Sequence, residues 1–232
     1  MNYNRICTFA LFVLTLGIGS VEAEPESPNI QGAQINNPYP ESAPVHASYA
    51  KFIIRMRSDP TAQAFAATTT RANAFRKGTN LSLSGLKRLD DTSLENRMRI
   101  VSKILDNASD SECEAILQGP SSRPGPSAMD SGLIKLNQAD ADLWFTMAAE
   151  AALAEIRQDS VPSLKQEDVN EALSRIEASL PPEKAPKFAF AQQNPQAVSP
   201  SEACWAMRTL YREGSSLPEP YRAALARATV TH

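Results

Sequence analysis

The sequence predicts an all-α fold, an irregular bundle of about seven helices tied by one disulfide. Three observations carry this. From Tyr49 onward the apolar residues recur at helical spacing. Helix-start combinations such as Asp59-Pro60 and Ser199-Pro200-Ser201-Glu202 punctuate the chain. No segment shows the strict alternation of a strand or a two-residue hairpin signal.

Residues 1–23 read as a cleavable signal peptide. Arg5 supplies the positive charge, Ile6 to Ile18 form an uncharged apolar run, and Gly17, Gly19 and Ser20 lead into Val21-Glu22-Ala23, with cleavage expected after Ala23. The run is shorter than the ~20 apolar residues of a membrane span. Cys7 stands at its start, whereas a lipid anchor needs a cysteine just after it. Residues 24–45 hold five prolines among Asn, Gln, Ser and Glu with no apolar period, which predicts a disordered leader. A single helical domain is then expected over 46–232.

Tyr49, Phe52, Ile53 and Met56 mark one face of a first helix. Asp59-Pro60 opens a second, carrying Phe65, Ala66, Ala72 and Phe75 and stopping at Gly78. Thr92 and Glu95 have capping-box spacing ahead of Leu94, Met98, Val101, Ile104 and Leu105; Ser109 and Glu112 repeat it ahead of Cys113, Ile116 and Leu117. Residues 119–132 are rich in Gly, Pro and Ser and predict a flexible loop. Leu143 to Ala154 is apolar nearly all round, the pattern of a central helix, expected near 137–157. Val169, Leu173, Ile176 and Leu180 define the next helix, ended by Pro181-Pro182, and 181–198 reads as a connection. Ser199 to Glu202 starts a helix with Ala203, Cys204, Met207, Leu210 and Tyr211 on its inner face and Gly214 as its stop; a last helix covers about 218–229. Ser-Glu-Cys at 111–113 and Ser-Glu-Ala-Cys at 201–204 each open a helix, too few instances for a repeat.

Of the three cysteines, signal cleavage removes Cys7. Cys113 and Cys204 remain, an even number in an oxidising compartment, and are expected to pair rather than to stay as buried thiols. The net charge of −3 is uneven: residues 71–103 carry eight basic and three acidic side chains, residues 104–183 five basic and fifteen acidic. Either the basic run serves an anionic partner, or the two segments face each other or lie solvated. No aromatics interleave the basic run, which argues against nucleic-acid binding.

The chemistry-bearing residues are sparse. The two histidines, His46 and His232, cannot build a triad or a multi-histidine metal site, and neither a CxxC, a P-loop nor a GxGxxG is present; no metal and no cofactor are expected. Asn80-Leu81-Ser82 and Asn107-Ala108-Ser109 match the glycosylation pattern by chance. Glu150 shares a side of the central helix with Leu143, Met147, Ala151 and Ala154, a setting that raises a carboxyl pKa and suits a general acid, with Asp140 near the same face. The competing reading pairs Glu150 with an arginine of another helix or with solvent. Trp205 falls with Arg208, Thr209 and Arg212, the composition of a protein-binding hot spot, unless another helix or the 181–198 connection covers it.

These features favour an exported protein, periplasmic or extracellular, that binds a protein partner without catalysis, as an adaptor, inhibitor or immunity-type protein, through Trp205, Arg208 and Arg212. No stable membrane anchor is expected after cleavage. One alternative is a cell-wall or glycan hydrolase using Glu150. Another is an apolar-ligand carrier with a cavity around Trp144, Phe145 and Met147.

Overall fold

The computed structural model describes residues 37–68, 81–117 and 127–231. The expected signal peptide, the expected leader up to residue 36 and the expected loop as far as 126 lie outside them. Among the described residues the secondary structure is helical throughout, with no strand.

Residues ahead of 46 already pack into the domain. Tyr39 is 4% exposed, and its hydroxyl donates to Asp130 over 2.9 Å. Its ring meets those of Tyr49 and Phe145 edge-on. A proline-rich segment without apolar period can thus dock through one large aromatic that no periodicity reveals. Helix α1 follows at Pro44–Ser58, with proline in its first turn. Asp59 caps α2, Pro60–Ala67, accepting from the backbone of Thr61 and Ala62 as its spacing predicts. Thr68 is its C-cap, and the Ala72, Phe75 and Gly78 of the expected helix lie outside the described residues.

Residues 81–85 are helical and continue into a 3-10 turn at Leu86–Arg88. Helix α3, Asp91–Asp106, is capped by Asp90 on the Ser93 N–H rather than by Thr92. Glu95 is held instead by Arg222, 2.8 Å away. Helix α4, Asp110–Leu117, has the predicted reciprocal bonds between Ser109 and Glu112. In place of the C-terminal part of the expected loop, a capping box between Ser127 and Asp130 starts α5, Ala128–Ile134.

Helix α6, Gln138–Arg157, is the central helix predicted, packed against α1, α2, α3 and the 86–88 turn. Helix α7, Gln166–Ser179, comes next. The expected connection at 181–198 is largely a helix, α8, Ala185–Gln193. Its proline occupies the first turn, where no intrahelical donor is lost, and Phe188 is fully buried. Helix α9, Pro200–Ser215, starts with the predicted capping box but does not stop at Gly214. That glycine is buried at a close crossing, where a Cβ would lie 2.6 Å from Leu225 and 3.4 Å from Met98. Helix α10, Tyr221–Ala228, ends the described chain.

One apolar cluster runs from Tyr39 to Ala228, centred on α3 and α6. Cys113 and Cys204 form the predicted disulfide, with Cα atoms 5.9 Å apart and both side chains buried, joining α4 to α9 across 91 positions. Closing a loop of that length stabilises the fold by about 4–5 kcal/mol in the chain-entropy account. No described helix is long and apolar enough to cross a membrane.

Candidate functional site

Helix α6 carries two carboxylates at opposite ends of one face, and packing treats them differently. Asp140 sits in the first turn, 4% exposed, where the helix N-terminus favours negative charge. Arg99 approaches it at 2.8 Å and Lys103 at 2.5 Å, both from α3, and Asn137 adds a third donor at 3.0 Å. Burial pushes its pKa up, but the hydrogen bonds and charges of Lys103 and Arg99 outweigh burial and hold it below the usual carboxylate range. An acid so held stays ionised and cannot deliver a proton near neutrality.

Glu150, three turns on, lacks the apolar setting expected of it. Its side chain is 43% exposed and pairs with Arg55 of α1 at 3.5 Å. The competing reading, a pair with an arginine of another helix, describes this geometry. Nothing at Glu150 selects it as a general acid. Trp144, Phe145 and Met147 are core side chains at 2–3% exposure.

The basic and acidic segments do face each other where both are described. Besides Arg99 and Lys103 on Asp140, Arg88 donates to Glu155 at 2.7 Å and to the Asp159 carbonyl. Three basic side chains of the first segment thus meet two carboxylates of the second. A second polar cluster joins α1 to α6: Ser48 donates to Asp142 at 2.7 Å, and Lys51 and Gln138 reach the same carboxylate at 3.0 Å. Ser48 is 1% exposed, so its hydroxyl ties α1 to α6 and is not open to substrate as a nucleophile would be, although Lys51 reaches the surface.

The predicted partner residues separate in role. Trp205 is half-buried, and the ring of Phe188 meets it edge-on at 6.4 Å, so the 181–198 segment covers part of it. Arg208 turns inward: it donates to the carbonyls of Leu105 at 3.0 Å and Ala108 at 2.7 Å and to Asp110 at 2.9 Å, capping the end of α3. Thr209 is fully buried rather than exposed. Arg212 remains on the surface, 56% exposed, near Asp106 and Glu213.

Phe190 is the residue that periodicity missed. It projects from α8 on the side away from Phe188 and is 50% exposed, one of three large apolar side chains so placed among the described residues, with Ile54 and Val161. An aromatic two positions from a buried one in a helix lies on the opposite face, so its exposure was readable once 185–193 was known to be helical. No family model matches the chain, and neither a curated protein nor a solved structure does.

Proposed function

We propose that this chain is an exported helical protein that binds a protein partner without catalysis, through the outer faces of α8 and α9. The observation that carries the reading is Phe190, a half-exposed aromatic on a helix whose opposite face is anchored by buried Phe188. Half-buried Trp205 on the adjoining helix and exposed Arg212 supply the other side-chain types that dominate partner-binding energy. A lone exposed hydrophobic is ordinary, whereas exposed aromatic and arginine side chains on neighbouring helices are of the types enriched at hot spots. Arg208 leaves the proposed surface because its donors are already taken.

Support for export comes from the signal-peptide pattern of residues 1–23 and from the disulfide, which suits an oxidising compartment. The exposure of Glu150 and its pair with Arg55 weigh against the hydrolase alternative.

A photo-reactive amino acid placed at Phe190, and separately at exposed Glu171 as a control, tests the surface in the exporting cell. A discrete crosslinked protein at 190, absent at 171 and lost when Arg212 is changed to Glu, is the expected result. Equal labelling at both positions, or none at 190, removes the reading.

A further inference from the structure

Helix α10 is tied to α3 by arginines, and one of them is shared between two acids. Arg222 donates from Nε to Glu95 of α3 over 2.8 Å and from Nη2 to Glu219, just ahead of α10. Nε and Nη2 lie on one edge of the planar guanidinium, where their parallel N–H bonds ordinarily take both oxygens of a single carboxylate. Here two carboxylates supply one oxygen each, so Oε2 of Glu95 and Oε1 of Glu219 are brought side by side. The second oxygen of Glu219 accepts from the Ala223 N–H at 3.3 Å, which fixes this carboxylate at the start of α10.

Charge does not balance at this edge. One guanidinium faces two carboxylates, and water screens them incompletely, because the side chains of Arg222 and Glu95 are only 35% and 20% exposed. The charged groups of the surrounding helices are engaged elsewhere. Arg227 of α10 holds Asp91, Arg99 of α3 holds Asp140 of α6, Arg212 of α9 lies beside Glu213, and Arg175 of α7 covers the Tyr221 ring at 4.3 Å. On α5, Asp130 is taken by Tyr39 and Ser127. Burial raises the Glu95 pKa above its ordinary 4.5, and the charge of Glu219 adds to the rise against the pull of Arg222. One proton removes the excess charge, and placed between adjacent carboxylate oxygens it turns a repulsion into a hydrogen bond.

We infer that Glu95, Glu219 and Arg222 form a pH-sensitive clasp, in which one proton shared by the two carboxylates tightens α10 against α3 and its loss loosens the helix. The sign is opposite to that of a carboxylate held by cations. A carboxyl whose folded pKa is raised contributes stability that is fully present below the ordinary value and is lost as the pH rises through the folded pKa. The clasp does not rest on the α8–α9 surface.

Amide hydrogen exchange along α10 tests it in the disulfide-intact protein, at pH 5 and pH 7, with rates corrected for the intrinsic effect of pH. Glu219→Gln keeps an oxygen for Arg222 and for the Ala223 N–H but removes the second negative charge. At pH 7 the variant is expected to protect the α10 amides severalfold better than the wild type does. At pH 5 the difference should shrink, because the wild type gains protection on taking up its proton. Glu95→Gln should behave alike. Protection in Glu219→Gln at or below the wild-type level at pH 7, or the same difference at both pH values, overturns the inference. Should the more buried Glu95→Gln fail to fold, Glu219→Gln decides alone, since that side chain is 48% exposed.

Discussion

Asp140 stays ionised in the interior because two cations and an asparagine meet it within hydrogen-bonding distance. Since its folded pKa lies below the ordinary value of 3.8, its contribution is fully present above about pH 4 and is lost as the pH falls through the folded pKa. Asp140→Asn is therefore expected to cost about 2–3 kcal/mol at pH 7, discounted because Arg99 and Lys103 are 41% and 43% exposed. Urea unfolding between pH 7 and pH 2 checks this: the variant should show a shallower acid loss than the wild type, and parallel curves would contradict it. Periodicity placed both Asp140 and Glu150 on one side of α6, and nothing in that pattern separates them. The difference arises because α3 brings cations and cover to one end, whereas α1 offers the other end an arginine beside open solvent.

At the scale of helices, capping chemistry was the most legible signal. The boxes at Ser109 and Ser199 and the Asp59 cap occur as their spacing predicts, because each satisfies free backbone donors within three residues of its own position. Helix α8 was hidden for the opposite reason. It is short, and its buried face, Phe188, Ala191 and Gln192, carries only one large apolar side chain. The glycines divide similarly. Gly214 reads as a helix stop but serves as a crossing point, and Gly85 carries no sequence signal although a Cβ there would fall 1.8 Å from the Ala151 carbonyl oxygen. Backbone cannot yield as a side chain can. Gly85→Ala is expected to cost more than about 3 kcal/mol, whereas Gly214→Ala, which meets only the flexible ends of Leu225 and Met98, should cost about 1–2 kcal/mol. Side-by-side urea melts test the order, and equal losses would show that the α6 backbone moves aside.

Over the whole molecule, the disulfide joins segments that are distant in sequence but share the α3–α9 half of the core. Replacing both Cys113 and Cys204 by alanine should lower stability by about 3–5 kcal/mol, read from urea midpoints with the slope unchanged. Both sulfurs are buried, at 0% and 1% exposure, so reduction of the native protein should proceed only as fast as the α4–α9 contact opens. Reduction by a mild thiol at the rate of an exposed disulfide would refute this. The helical class, the central helix and the cysteine pair follow from spacing along the chain or from the two cysteines beyond residue 23, and none of them depends on which helices meet. Tertiary structure alone decided that Tyr39 belongs to the core, that Arg208 caps α3 instead of facing outward, and that Asp140 rather than Glu150 is the buried carboxylate. Burial and pairing depend on neighbours supplied by remote segments, and a helical face has no burial until another helix covers it.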